Sequence, residues 1–380
     1  MSPSPNQSQQ PGITHQAPFP EIVTATSLGQ WPGTDPVEAT KVSLGLLGSP
    51  HLPCLVDLPA RGVGSDPIGR TAALLVELAV DMQPYGWRFV DRAGHDHRRA
   101  VSALSTDVNV LADVAGDSGI TPPELKVCIS GPVSLAAAIH LHYGERSLRD
   151  CGARRDIGQS LAAGLAIHAQ KVGAAVPGAA LTLQIDEPAV AAALAGTIPT
   201  ASGYRTLRSI PVTELRQSWS ALVGEARKAG FAKVAINLAP ASASQDGSAG
   251  VEDASSARAE SASWRIALET ALECGIDALA IPLHILDTGH WEQLAGAIES
   301  GMGVWAGTVP GRSGQAPPSY AALVETVMRP WRGLGLNKSA LNQLRITPEI
   351  GLGTITAPEA RAVLNRALEV AEELSVIRYQ

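Results

Sequence analysis

The stretch LTLQIDEPAV at residues 181–190 decides the fold class and contains the first candidate site. Its first five residues, LTLQI, have the apolar and β-branched character of a buried strand. Two adjacent carboxylates, Asp186 and Glu187, follow this strand directly, and Pro188 restricts the backbone behind them. A buried strand that ends in acids is typical of a parallel sheet, where functional side chains lie at the carboxyl ends of the strands.

Strands of similar character recur along the whole chain of 380 residues and alternate with helical patterns. The predicted strands are 24–28, 54–57, 126–129, 181–185, 233–238, 278–283, 302–306 and 343–347. Residues 87–91 form either an extra strand or a loop. Apolar residues recur at helical spacing in 68–82, 212–230 and 358–374. Eight alternations predict a parallel eight-stranded (β/α)8 TIM barrel of the α/β class. A doubly wound open sheet is the alternative, but no G-x-G-x-x-G motif follows the first strand.

Two low-complexity segments precede or interrupt the predicted barrel, which covers residues 21–380. Residues 1–20 have neither a basic region nor an apolar run, so they predict a disordered tail rather than a signal peptide. Residues 240–263 are rich in Ser, Ala and Gly. That composition predicts a flexible loop insertion that follows a strand at the surface.

The composition argues against several classes of partner. Hydrophobic residues make up 45% and charged residues 17%, with a net charge of −7 and a pI of about 5.7. An acidic chain without a basic block is unsuited to nucleic acid or an anionic membrane surface. No apolar run approaches the roughly 18 residues of a membrane span. Four scattered cysteines without a C-x-x-C pair favour reduced thiols in a cytoplasmic protein over disulfides.

In a (β/α)8 barrel, Asp186 and Glu187 would lie at the carboxyl-terminal rim, where binding and catalytic groups are found. The alternative is that both acids cap the N-terminus of the following helix, whose dipole favours negative charge. The position after a buried strand favours a ligand site, while capping stays open.

Four segments occur in the order in which one enzyme family has them. They are TATSLGQWPGTDPVEATK (24–41), ISGPVSLAAA (129–138), LQIDEPAV (183–190) and ITPEIGLGT (346–354). Together they resemble the T-T-T-I-G-S-F-P-Q-T, T-G-P-V-T-I-L, Q-I-D-E-P-A and N-P-D-C-G-L segments of the catalytic barrel of cobalamin-independent methionine synthase. The resemblance spans about residues 22–375. It implies a short, single-barrel member, related to the uroporphyrinogen-decarboxylase-like barrels.

The resemblance implies methyl transfer from 5-methyltetrahydrofolate to the sulfur of homocysteine in methionine biosynthesis. In that family a zinc ion holds the substrate thiol as thiolate, through histidine, cysteine and acidic ligands. The corresponding positions hold Ile236, Leu238, Pro282 and Ile350 here, and Thr308 replaces a further family histidine. An apolar wall would leave the charge of Zn²⁺ uncompensated. We therefore expect no zinc and no other cofactor.

The amino-acid-binding part of the family site is better preserved. By resemblance, the backbone amides of Leu28, Gly29 and Gln30 would receive a ligand carboxylate, and Asp186 would hold the ligand ammonium. Glu187 would support the rim or pair with an arginine. The expected partner is an amino-acid-like small molecule, and the resemblance also implies a folate.

Histidines are the candidates for chemistry that replaces the metal. His284 follows the strand that bears the family's zinc acid, and it is the predicted general base, with Asp287 nearby. His95 and His97 form an H-x-H pair that is more typical of a solvated turn than of a metal site.

Two functions from different classes remain open at this point. One is a methyltransferase of methionine-synthase type that acts without zinc. The other is a catalytically inactive relative that binds an amino acid or a pterin as a binding or regulatory protein. Trp31 and Trp305, at strand ends, are the residues that could wall a flat pterin ring.

Overall fold

The structure, a computed structural model, describes residues 20–240 and 254–380. Seven of its strands form one parallel sheet, in the order β1-β9-β8-β7-β6-β5-β4. These strands are β1 (Thr24–Ala25), β4 (Glu124–Ser130), β5 (Ala180–Asp186), β6 (Phe231–Asn237), β7 (Ala278–Pro282), β8 (Gly303–Val309) and β9 (Leu344–Pro348). The remaining two, β2 (Ala79–Gln83) and β3 (Gly86–Val90), form an antiparallel hairpin.

Residues 52–57 close the sheet into a barrel between β1 and β4. The amide of Leu52 donates to the carbonyl of Ala25 at 3.0 Å, and the amide of Leu55 donates to the carbonyl of Lys126 at 2.9 Å. Parallel bridges join Thr26 to Leu52 and Cys54 to Lys126. This segment occupies the position of the eighth strand, although it pairs with its neighbours only through isolated bridges. The predicted eight-stranded parallel (β/α)8 barrel is confirmed.

Helices cover the outside of the barrel. They are α1 (Pro36–Leu46), α2 (Pro67–Ala72), α3 (His95–Ser118), α4 (Pro132–Ala138), α5 (Cys151–Ala175), α6 (Val190–Ala195), α7 (Val212–Lys228), α8 (Ala254–Leu272), α9 (Thr288–Glu299), α10 (Tyr320–Gly333) and α11 (Ala357–Tyr379). The helices predicted within 212–230 and 358–374 correspond to α7 and α11. In the described part of the chain, no helix is long and apolar enough to cross a membrane.

The helix predicted over 68–82 is wrong beyond its first turn. Helix α2 ends at Ala72, and the chain then enters the β2–β3 hairpin. The hairpin includes most of residues 87–91, which settles the open choice between strand and loop in favour of a strand. Val80 pairs with Phe89, and Gln83 pairs with Gly86 across a two-residue turn. Cross-strand pairing with the adjacent segment outweighs the helical spacing of the same apolar residues.

Part of the predicted low-complexity insertion, 240–263, is helical. Residues 241–253 lie outside the described residues, but α8 begins at Ala254. The loop prediction is therefore wrong for 254–263, because this part is rich in alanine with glutamate and arginine, which are strong helix formers. The indole of Trp264 anchors the helix by donating to the carbonyl of Leu238 at 2.8 Å. The predicted tail falls almost wholly on residues 1–19, which also lie outside the described residues.

The core has two layers, one between strands and helices and one inside the barrel. The inner layer contains a small apolar cluster: Leu28, Leu52, Ala235, Ala278, Ala280 and Trp305. Along β5, residues alternate between the layers, so Gln184 and Asp186 point inward while Ile185 and Glu187 point outward. All four cysteines are free, and only Cys151 is exposed.

Candidate functional site

Asp186 ends β5 inside the mouth of the barrel, where two amides hold its carboxylate. Its Oδ1 accepts a hydrogen bond from Gln184 Nε2 at 2.7 Å and another from Asn237 Nδ2 at 2.8 Å. Asn237 ends β6 and lies opposite Asp186 in the parallel register. Its own Oδ1 accepts from the amide of Ala239 at 3.0 Å, which fixes the direction of its amide group. Both donors reach one oxygen, and no described residue donates a hydrogen bond to Oδ2.

Burial raises the pKa of Asp186 to about 7 from its ordinary value of 3.8. The hydrogen bonds from Asn237 and Gln184 oppose this rise, and so does the positive charge of Lys126. The negative charge of Asp57 adds to it. Asp186 therefore titrates near neutral pH, as groups at functional sites often do.

The turn at residues 28–30 is linked to Asp186 through the side chain of Gln184. The carbonyl of Leu28 accepts a hydrogen bond from Gln184 Nε2 at 3.4 Å. Gly29 has a φ of +97°, and a side chain there would come within 2.7 Å of Cys128 Sγ. Only glycine meets both conditions. The Gln30 side chain turns instead towards Gly351, where a Cβ would meet its Cδ at 2.8 Å.

Glu187 has a different environment from its neighbour. It is fully buried, and its two oxygens accept hydrogen bonds from the amide of Val133 (3.1 Å), the amide and hydroxyl of Ser134 (2.8 and 2.7 Å), and the indole of Trp219 (3.0 Å). Burial raises the pKa of Glu187, and these donors act in the opposite direction. Protein groups donate to both oxygens, so Glu187 supports the rim as predicted, and no arginine in the described structure pairs with it. Glu187 joins β5 to α4 and α7. A contact with a ligand stays a prediction.

A chain of ion pairs lies behind the turn at 28–30. Asp57, at the end of segment 52–57, pairs with Arg70 Nε at 2.6 Å. Arg70 also pairs with Asp107, which receives both guanidinium nitrogens of Arg61 at 2.7 Å. Burial raises the pKa of Asp57, while Arg70 lowers it. Both arginines are thus held by protein carboxylates.

His284 lies just after the end of β7 and pairs with an acid that directly follows β9. Its Nδ1 is 3.1 Å from Glu349 Oε1, and the histidine side chain is 54% exposed. Burial raises the pKa of Glu349, against the charges of His284 and Arg312. Asp287 is no partner of His284, because it caps α9 by accepting from the amide of His290 at 2.9 Å. A histidine oriented by a carboxylate at the barrel mouth has the form of a general base.

The other aromatic and histidine candidates lie apart from Asp186 or are closed to solvent. His95 is exposed at the start of α3 and lies 3.7 Å from Asp96. Trp31 and Trp305 are both buried, and Trp305 packs inside the barrel, with the Lys126 ammonium 4.8 Å from its ring centre. Neither indole offers an open face, so the prediction that they wall a pterin is wrong.

The residues present do not fit the family's zinc ion. Ile236 and Leu238, predicted at its ligand positions, are buried in the outer layer and point away from the mouth. The inward residues of β6 are Ala235 and Asn237. No group of three or more His, Cys, Asp or Glu residues in 20–240 and 254–380 is arranged to hold a metal. Pro282 and Ile350 add no nitrogen or sulfur donor, which zinc prefers.

Sequence reasoning missed three polar residues of the inner layer: Lys126, Gln184 and Asn237. The signal for Gln184 was present, since a residue two before Asp186 on a strand shares its face. For β6, the motif resemblance implies that Ile236 and Leu238 face the site, whereas Asn237 is the residue that points inward. Lys126 lies within an otherwise apolar strand pattern, and its partners are distant in the sequence, so no local signal identifies it.

Comparison with known proteins identifies the fold. No protein-family model and no curated protein sequence matches the chain. Among solved structures, a B12-independent methionine synthase from Shewanella sp. W3-18-1, in complex with selenomethionine, is similar over 95% of this chain and 98% of its own, with a TM-score of 0.56 and 12% identity. A putative vitamin-B12-independent methionine synthase from Listeria monocytogenes is similar over 93% and 98%, with a TM-score of 0.48 and 14% identity.

The chain therefore has a barrel fold similar to that of a B12-independent methionine synthase. The resemblance carried by the four sequence motifs is confirmed at the level of the fold. Membership of the short, single-barrel group stays a prediction.

Proposed function

We propose that the chain binds an amino-acid-like small molecule at the mouth of the barrel, with Asp186 accepting the ligand ammonium. The observation that carries the proposal is the one-sided coordination of Asp186. Two protein amides hold Oδ1 at 2.7 and 2.8 Å, and Oδ2 is left without a protein donor in the described structure. A carboxylate held in one direction before binding loses little ordering entropy when a cation arrives.

The pKa of Asp186 gives the proposal a pH dependence. With a pKa of about 7 in the free protein, much of the carboxyl is protonated at neutral pH. A ligand ammonium favours the ionised form, so binding releases a proton below pH 7. Affinity should then fall up to tenfold for each pH unit below 7 and level off above it.

The test is titration calorimetry with L-methionine as the probe, since a structurally similar protein was solved with selenomethionine. We expect binding at pH 8 and a loss of roughly 10- to 100-fold in Asp186→Asn, the range for a hydrogen bond to a charged group. The analogue 4-(methylthio)butanoate lacks the ammonium and should bind weakly and equally to both proteins.

Asp113→Asn is the matched control, because Asp113 is exposed in the C-terminal part of α3. It should bind L-methionine as the wild type does. Equal affinity of Asp186→Asn and wild type for L-methionine, or no binding to the wild type at any pH between 6 and 9, would refute the proposal.

Methyl transfer to a thiol is a second candidate, and the pair of His284 and Glu349 favours it. In such a reaction His284 takes the thiol proton, the sulfur forms a bond to the methyl carbon, and the bond from that carbon to the donor nitrogen breaks. The donor nitrogen then needs a proton from solvent or from a protonated acid. The neighbouring Glu349, 3.1 Å from His284, would stabilise the imidazolium that forms.

This candidate predicts a reaction that needs no metal. The rate of methionine formation from L-homocysteine and 5-methyltetrahydrofolate should be unchanged by EDTA. In His284→Asn this rate should fall at least about tenfold, since general bases typically contribute 10²–10⁴-fold. Elemental analysis of the same sample should show far less than one zinc per chain. Activity that EDTA removes and zinc restores would contradict it. No methionine formed by the wild type would leave ligand binding as the function.

A further inference from the structure

Lys126 is a buried cation inside the barrel whose contacts are all with neutral groups. Its side chain is fully buried on β4. The ammonium donates to the carbonyl of Ser27 and, at 2.7 Å, to Gln184 Oε1, and it lies 4.8 Å from the centre of the Trp305 ring. Within the described residues, no carboxylate lies within 4.0 Å of it. A lysine held in this way is costly to bury, so its position calls for an explanation.

Gln184 connects this ammonium to the candidate ligand site. An ammonium can only donate, so it selects the oxygen end of the Gln184 amide. The nitrogen end must then face the other way, and it donates to Asp186 Oδ1 at 2.7 Å. One side chain therefore joins the buried cation to the carboxylate at the mouth through two hydrogen bonds in series. Such chains strengthen each bond by polarisation.

We propose that Lys126 is a positioning residue that acts through Gln184, holding Asp186 in place and keeping its charge available for a ligand ammonium. This inference rests on the proposed function. Without the ammonium, the Gln184 amide would be free to turn over and present its oxygen to Asp186. That contact would be repulsive for an ionised carboxylate.

Other titratable groups near Asp186 are Asp57 and Cys128. Asp57 is paired with Arg70, and burial raises the pKa of the Cys128 thiol well above its ordinary value, so the thiol is neutral at pH 7. Lys126 is thus the cation next to Asp186 whose charge no carboxylate in the described structure neutralises by direct contact. Its removal should move the titration of Asp186 upward, which is the direction expected when a positive charge and a donor are lost.

The test follows Asp186 itself by carbon-13 NMR of proteins labelled at the aspartate carboxyl, with the resonance assigned by its absence in Asp186→Asn. We expect the wild-type midpoint near 7 and a midpoint higher by about one unit in Lys126→Met, which keeps the length of the side chain and a contact with Trp305. Lys233→Met is the matched control. Lys233 lies near the start of β6, 3.7 Å from Glu124, and its loss should leave the midpoint unchanged.

Gln184→Leu provides a second test if Lys126→Met fails to fold. It removes the hydrogen-bonded link between Lys126 and Asp186 and leaves the Lys126 ammonium in place. Its midpoint should rise by a similar amount. In the double variant with Lys126→Met, the two shifts should be smaller than additive, as for residues that act in series. A folded Lys126→Met or Gln184→Leu with the wild-type midpoint would overturn the inference. The titration needs no ligand, so failure of L-methionine to bind would count against the proposed function alone.

Discussion

Replacing Glu187 with alanine is expected to destabilise the barrel by roughly 3–5 kcal/mol, the range for removing one partner of a buried charged network. Four donors from Val133, Ser134 and Trp219 point at the two carboxylate oxygens. Alanine leaves all of them buried without an acceptor and opens a cavity between β5, α4 and α7. Reversible urea unfolding at pH 7 measures the loss.

Glu187→Gln separates the hydrogen bonds from the volume of the side chain. Its single carbonyl oxygen accepts two of the four donors, while its NH₂ group faces the others, so an intermediate loss is expected. Glu325→Ala removes an exposed glutamate on α10 that pairs with Arg332, and it should change stability by less than about 0.5 kcal/mol. A loss below about 1 kcal/mol in Glu187→Ala would show that the donors find other acceptors.

The barrel could be predicted because its strands and helices repeat a strong local pattern. Each parallel strand is buried on both faces, so β5 and β6 appear as short apolar runs, and α7 and α11 have clear helical spacing. Residues 68–82 show where local pattern fails. The same apolar residues fit a helix or a hairpin, and only pairing with 86–90 decides between them.

The candidate site was predicted less well, since adjacent residues on one strand face opposite layers. Asp186 and Glu187 are equivalent in composition, yet one enters the mouth and the other is buried against α4 and α7. Strand alternation distinguishes them once one neighbour is assigned to a layer. The same alternation places Asn237 inward and Ile236 outward, whereas the motif resemblance implies that Ile236 faces the site.

Lys126 was beyond prediction for a different reason. The cost of burying an ammonium makes an interior lysine improbable from local sequence. What allows it is a set of partners from two other strands and the turn after β1: the amide of Gln184, the ring of Trp305 and the carbonyl of Ser27. Gln184 and Trp305 follow Lys126 by 58 and 179 positions, and Ser27 precedes it by 99. Closure of the barrel brings these distant residues together.

Replacing Asp186 with asparagine should have the opposite effect on stability from replacing Glu187. The folded-state pKa of about 7 lies above the ordinary value of 3.8, so the folded protein keeps a proton that the unfolded chain loses between pH 4 and 7. The contribution of Asp186 to stability therefore falls as pH rises through that window and is constant above it. The difference between the folded-state and unfolded-state pKa corresponds to a loss of at most roughly 4 kcal/mol in the free energy of unfolding, at 1.36 kcal/mol per pKa unit.

Asparagine keeps an acceptor for Gln184 and Asn237 and removes the charge, so Asp186→Asn should be about 2–4 kcal/mol more stable than wild type at pH 8. The advantage should shrink towards zero near pH 4, and paired unfolding curves at both pH values measure it. Asp113→Asn should show no such dependence. A more stable Asp186→Asn at pH 8 would support the proposed ammonium site, because an acid that weakens the fold gains a favourable charge interaction only when a cation binds. A less stable Asp186→Asn at pH 8 would instead assign the carboxylate to the structure of the rim and remove the basis for an ammonium site.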